Sequence, residues 1–226
     1  MSTEKYSMNE TTYSRVRDRL REDILRGIFE PGVRLPITEL AQRYAVSQMP
    51  IREALQQLQG EGLITLLPQK GAHVKKIDEK FISNIYDIRG AIDALLIRKS
   101  IEVIKDKDID HITEIQQRYE EAVSRQSLEE ILELNDLLHA TINGYADNPE
   151  ALKIKERHWG LIGGFRKTFG YNPERYQETT KEHRNIIQAI KDRNPDLAAQ
   201  LVNDHSMKAK KDLIESLNNK TAGRTR

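Results

Sequence analysis

The segment from Thr38 to Lys75 changes its periodicity three times, and few folds accept the order it takes. Thr38 to Tyr44 reads as a short helix and Ala45-Val46-Ser47 as a turn. Gln48 to Gly60 reads as a second helix that carries Ile51, Leu55 and Leu58 on one face. Leu63 to Leu67, the turn Pro68-Gln69-Lys70-Gly71 and then Ala72 to Lys75 read as a β-hairpin, with glycine at hand for a positive φ. Ahead of them Val16, Leu20, Ile24 and Ile28 recur at helical spacing over Thr12 to Gly27, and Pro31-Gly32 makes a turn. A helix held on such a scaffold has the shape to enter a major groove, while the hairpin beside it reaches backbone or minor groove.

Charge supports this only weakly. The 226 residues carry a net charge of +1, but residues 1–76 hold 12 Lys and Arg against 9 Asp and Glu. Arg15, Arg17, Arg19 and Arg21 crowd the first helix. Such an excess is more often a solvated face than a nucleic-acid footprint, so the motif has to carry the reading. The absence of cysteine excludes disulfides and thiolate metal sites, which leaves His, carboxylate and amide ligands. The start MSTEKYSMNE lacks the apolar run of a signal peptide, and no stretch approaches the ~20 apolar residues of a membrane span. A cytoplasmic protein with no membrane partner is expected.

After Ile77-Asp78 long amphipathic patterns take over, and they predict helices near 79–105, 108–126, 128–146, 149–169, 173–193 and 195–218. Breaks at 105–108, 126–127, 147–149, 170–173 and 194–195 pair a capping residue or a proline with each new stretch. Six helices with short loops make an antiparallel bundle. The expected organisation is a flexible arm over 1–10, a winged helix-turn-helix over 11–77, an all-helical domain over 78–218 and a flexible tail over 219–226. The fold class is mainly α.

Polar residues interrupt the apolar stripes of that bundle. Along 128–146 the stripe is Leu128, Ile131, Leu132, Leu138 and Ile142, and Asn135 and His139 fall within it one turn apart. His183 sits among Tyr176, Thr179, Thr180, Ile186, Ile187 and Ile190, and His205 follows Leu197, Ala198, Leu201 and Val202 at a four-residue step. Buried imidazoles need hydrogen-bond partners or a metal, at a cost of about 1–3 kcal/mol if left unpaired. Either these histidines bond to one another, to Asn135 or to water, or they hold a cation. Imidazole with an oxygen ligand suits Zn, Ni, Mn or Fe rather than Ca or Mg. His73 reads as exposed on the hairpin, His111 as surface and His158, beside Trp159, as packing. Along 79–105 the buried set reads as Ile82, Ile85, Ile88, Ile92, Leu95 and Leu96, bordered by Arg89 and Asp93. That pair is either a surface i,i+4 contact of little weight or an arginine aimed inward at an anion.

With these residues quoted, the chain resembles the GntR family of transcriptional regulators, of the FadR type with an FCD ligand-binding domain. The likeness runs over roughly residues 11–218. It rests on Pro31-Gly32-Val33-Arg34-Leu35, Leu40-Ala41, Val46-Ser47, Pro50-Ile51-Arg52-Glu53-Ala54-Leu55, Leu58, Glu61-Gly62-Leu63 and Lys70-Gly71-Ala72-His73-Val74. The resemblance implies DNA contacts from Arg34, Ser47, Gln48, Met49, Pro50, Arg52, Lys70 and Gly71. Gln48 and Met49 stand where the family commonly shows arginine and threonine, and Thr38 where many relatives carry a charge, so the operator sequence is left open. It also implies a divalent metal ion (Zn, Ni or Mn) on Asn135, His139, His183 and His205, with Arg89 orienting a small organic acid effector.

The expected function is a homodimeric regulator, a repressor, that binds a double-stranded DNA operator under control of a carboxylate metabolite, and not an enzyme. The competing reading is a metal-dependent hydrolase built on the three histidines. Against it, the core stripes offer no Glu or Asp beside His139, His183 or His205, and Asn135 cannot act as a base.

Overall fold

The computed structural model describes residues 12–75, 78–169 and 173–224, and the chain divides into two compact units between Ile77 and Asp78. The expected arm lies outside the described residues.

The first unit runs α1 (Thr12–Leu25), β1 (Arg34–Leu35), α2 (Ile37–Arg43), α3 (Gln48–Gly60), β2 (Ile64–Leu67) and β3 (Gly71–Val74). α1 packs on α3, burying Val16, Leu20 and Ile24 with Ile51, Ala54, Leu55 and Leu58. Ile28 falls beyond the helix and is exposed, because Gly27 at φ 72 ends the run. The sheet order is β1-β3-β2, all antiparallel, with Arg34 opposite His73 and Leu66 opposite Ala72. The hairpin needs two left-handed residues, Gln69 at φ 60 and Gly71 at φ 85. The arginines of α1 are engaged within the fold. Arg17 meets Asp18 and Gln57, Arg19 meets Glu22, and Arg21 bridges Asp18 to Glu61 at 2.6 Å. Arg17 and Arg21 therefore tie α1 to the α3 side, while Arg19 pairs within α1.

The second unit comprises α4 (Glu79–Val103), α5 (Asp106–Ser124), α6 (Leu128–Gly144), α7 (Pro149–Phe169), α8 (Pro173–Lys191) and α9 (Pro195–Arg224). Asp78 caps α4 by accepting the Phe81 amide at 3.0 Å. A continuous apolar core joins Ile97, Ile101, Ile112, Tyr119, Leu138, Ile142, Ile187, Ile190 and Val202 from five helices. α4 lies closest to α9, and Gly90 permits the approach: a Cβ there would stand 2.6 Å from Asn203 Oδ1. α9 continues to Arg224, past position 218 where the expected tail begins. Leu128, the first residue of α6, and Leu197, in the first turn of α9, are exposed rather than in their stripes. Ile88 and Leu95, expected inside, are 48% and 45% exposed.

Candidate functional site

α6, α8 and α9 each carry one histidine to the same point. His139, His183 and His205 are 3%, 1% and 5% exposed, and their ligating nitrogens all lie within 4.8 Å of one another. Ring centroids are 5.0 to 5.2 Å apart. The sequence spacing alone leaves the choice between mutual hydrogen bonding and a cation open. The hydrogen bonds count against pairing of the rings with one another, while a cation or a buried water would satisfy the same nitrogens.

Two relays orient two of the rings. On one side the Arg184 guanidinium holds Glu120, which accepts the Gln116 amide N–H at 2.9 Å. With its nitrogen so engaged, Gln116 turns its oxygen to His183 Nδ1 at 3.0 Å. On the other side Arg175 forks onto Glu182 at 2.8 and 2.7 Å, and Glu182 meets His205 Nδ1 at 2.8 Å. In both rings an acceptor at Nδ1 places the proton there and leaves Nε2 with a lone pair. The Nε2 atoms of His139 and His183 are buried and have no hydrogen-bond partner. Imidazoles bonded to one another would not leave these atoms orphaned. A cation accepts such lone pairs. Three Zn–N bonds of about 2.0–2.1 Å set their donors about 3.3–3.6 Å apart, so nitrogens within 4.8 Å of one another would draw in by up to about 1.5 Å.

Electrostatics agree. Burial pushes His139 well below the ordinary histidine range, and its proximity to the other two imidazoles, Lys155 and Arg89 further disfavours a proton there. Burial does the same to His183. His205 is lowered by burial against the opposing pull of Glu182. All three are therefore neutral at pH 7, which is the ligating form. Burial raises Glu182, but the hydrogen bonds from His205 and Arg175 outweigh it and hold the carboxylate far below its usual range.

A cavity of ≈ 50 Å³ opens beside His205, with Asn135, Arg89 and Arg175 also in its wall. Asn135 is half-buried and donates its amide to Asp136 at 3.3 Å. Arg89 bonds Asp93 at 3.3 Å in an i,i+4 pair that is buried, which corrects the reading of a surface contact. Asp93 also takes Lys155 at 2.6 Å and Asn143 at 3.1 Å, so two cations share one carboxylate beside the cavity. Burial raises Asp93, yet Lys155 and Arg89 bring it below the usual aspartate value. Asp136 also lines the cavity and draws on Lys155, so the wall carries charges of both signs.

Sequence reasoning missed Gln116, Glu182, Arg175 and Lys155. Gln116 was detectable, because it shares a face with Ile112, Ile115 and Tyr119. Glu182 also corrects the expectation that no acid stands beside the histidines. Its oxygens are engaged by Arg175, His205 and Lys208. His111 is exposed against Glu114, and the His158 and Trp159 side chains lie outside the described ones.

In the first unit, Ser47, Gln48, Met49 and Arg52 are exposed at the start of α3, on the side away from Ile51 and Leu55, and Pro50 is half-buried. Ser47 occupies the N-cap position without making a cap hydrogen bond, so its hydroxyl and the first amides of α3 face outward together. Arg34, Lys70 and Gly71 are exposed at the hairpin tip, where a Cβ on Gly71 would lie 3.6 Å from Arg34 Nε.

A winged helix-turn-helix unit and a six-helix unit with a buried histidine cluster define a DNA-binding transcriptional regulator with a helical second domain. The chain belongs to the GntR family of bacterial regulatory proteins, which matches residues 12–74, with an FCD domain over residues 84–207. It is 28% identical over 195 residues to the HTH-type transcriptional regulator YdhC of Bacillus subtilis, covering 85% of this chain and 87% of that one. It is 27% identical over 186 residues to the HTH-type transcriptional repressor RspR of Escherichia coli, covering 82% of each. The solved structure of E. coli McbR/YncC shares the fold, with a TM-score of 0.70 at 19% identity over 92% of this chain and 99% of that one. No helix among the described residues is long and apolar enough to cross a membrane.

Proposed function

We propose that the chain is a homodimeric repressor whose affinity for its operator is set by a small carboxylate metabolite bound at a metal centre in the second unit. The observation that carries the reading is the pair of buried, unpartnered Nε2 atoms on His139 and His183, beside a third oriented imidazole. His139, His183 and His205, with Asn135 at the cavity wall, would hold a divalent Zn, Ni or Mn ion. The ion would supply two positive charges and open coordination positions. Asn135 brings no charge, so this ligand set is neutral and leaves more of the ion's field for an acid. Arg89, backed by Lys155 across Asp93, orients that acid. Repressors among the relatives support the sign of regulation.

On DNA, Ser47 and the α3 amides bind phosphate, and Arg52 binds phosphate or a guanine edge. Gln48 reads adenine, and Arg34, Lys70 and Gly71 follow the backbone at the minor groove. Met49 and Pro50 supply apolar contact. One half-site per protomer gives a pseudo-palindromic operator. The acid changes DNA affinity only by its differential binding to two states, typically ~1–3 kcal/mol. A hydrolase reading gains no support from Glu182, whose low pKa and engaged oxygens make it a poor base.

The test is fluorescence anisotropy on the chain's own promoter region, with metal-loaded and chelated protein, against a panel of small carboxylates. Tight binding that a metal-dependent acid weakens is expected. Affinity no better than for random duplex at moderate salt would sink the operator reading, and indifference to metal and acid would sink the sensor.

A further inference from the structure

The charges around the cavity beside His205 differ in how they are matched. Its three arginines each face a carboxylate of their own. Arg89 meets Asp93 at 3.3 Å, Arg175 meets Glu182 at 2.7 Å, and Arg166 pairs with Asp212. Asp136 is the one acid among the described residues of the wall. It takes the neutral Asn135 amide at 3.3 Å and draws on Lys155, whose ammonium sits 2.6 Å from Asp93. A carboxylate in a half-enclosed wall repels a plain acid, and the repulsion is strong where little water intervenes. A ligand that brings a charged N–H group turns the same carboxylate into the acceptor of a charge-assisted hydrogen bond.

The aromatic lining suits such a group. Tyr86, Tyr119 and Tyr176 border the cavity. The face of a tyrosine ring attracts a cation within about 6 Å of its centre, and the Arg89 guanidinium already lies 5.7 Å from the centre of the Tyr86 ring. Position sets the length of the ligand. Asp136 follows Asn135 on α6, so the two side chains leave the helix about 1.5 Å apart in height. An ammonium held by Asp136 and a carboxylate held near Asn135 therefore belong to one short molecule.

We propose that the ligand of this cavity is a small amino acid, with Asp136 accepting its ammonium while Arg89 and the ion take its carboxylate. This rests on the acid-sensing reading above and narrows it from carboxylates to zwitterions. Asp136 then sets specificity twice, by holding the ammonium and by repelling acids that lack one.

The test is calorimetric titration of the zinc-loaded, full-length protein with matched pairs: L-alanine and β-alanine against propionate, and 4-aminobutyrate against butyrate, with L-lactate as a hydroxyl control. At least one amino acid should bind about 10-fold or more tightly than its parent acid, the size of one charge-assisted hydrogen bond. Asp136→Asn keeps the shape of the side chain and removes its charge. It should weaken that amino acid about 10-fold while tightening the parent acid, opposite shifts that misfolding does not produce. Parent acids that bind as well as every amino counterpart overturn the assignment, and so does a preference that survives in Asp136→Asn. L-lactate binding more tightly than both L-alanine and propionate overturns it too, by making the donor a hydroxyl. Each of these leaves the carboxylate sensor standing. Binding by none of the seven partners to the loaded protein would overturn both.

Discussion

Replacing Glu182 by Gln tests whether the carboxylate–histidine relay exists. The carboxylate accepts four hydrogen bonds or ion contacts: two from Arg175 at 2.8 and 2.7 Å, one from His205 Nδ1 at 2.8 Å and one from Lys208 at 3.1 Å. Gln keeps the volume but offers one oxygen, and its amide turns N–H groups towards cationic donors. Arg175 is 5% exposed and keeps only the exposed Glu178 at 3.4 Å, so losing its buried partner costs about 3 kcal/mol, the low end for a broken buried pair. His205 loses the acceptor that fixes its tautomer. Loss of such a partner lowers metal affinity by about 10- to 100-fold, which corresponds to about 1.4–2.7 kcal/mol. Stability is the larger of the two effects, so affinity must be read on protein shown by circular dichroism to be folded. The assay is zinc competition against a chelator of known affinity, paired with urea unfolding of the metal-free protein. Zinc affinity within two-fold of wild type would refute the relay, whatever happened to stability.

Three further outcomes are expected. The three imidazoles have folded-state pKa values below the ordinary histidine value of about 6.5, so the unfolded chain takes up more protons as pH falls through it. Stability of the chelated protein should therefore be full above that pH and fall below it, by up to about 4 kcal/mol per pH unit for three sites. Glu182 acts in the same direction in a more acidic window, since its depressed pKa gives stability that is present above the usual glutamate range and lost beneath it. Equal urea midpoints at pH 5.5 and 7.5 would contradict this. Asp93→Ala takes from buried Arg89 and Lys155 the carboxylate they share and should cost about 3–5 kcal/mol in urea unfolding; a loss under 1 kcal/mol would mean that water already screens the pair. Arg52→Ala should weaken operator binding and reduce the steepness of its log–log salt dependence by about one, and an unchanged slope would move Arg52 off the phosphate.

Much of this was legible because periodicity reports apolar rows. Ile51, Leu55 and Leu58 fix which side of α3 is buried, and so which side can read DNA. His139, His183 and His205 stood out as polar residues inside such rows, and they do converge. Periodicity does not tell which of two rows is covered. α4 has one through Ile82, Ile85 and Leu96 and another through Ile88, Ile92 and Leu95, and only tertiary packing chooses the first. β1 has two residues, too few for any period, and forms because β3 offers it a partner. Glu182 and Gln116 reach their histidines from 23 and 67 residues away, a distance that local pattern does not span. That Arg17 and Arg21 of α1 lie against Asp18 and Glu61 was not legible, because Glu61 is 40 residues from Arg21 in the chain.

The account turns on a cation between the three histidines. Elemental analysis of protein purified without chelator, set against a His139→Ala and His183→Ala double variant, measures it directly. About one Zn, Ni or Mn per chain in the native protein and almost none in the variant is the predicted result, since removing two imidazoles leaves too few ligands for tight binding. Equal metal content in the two proteins would contradict it.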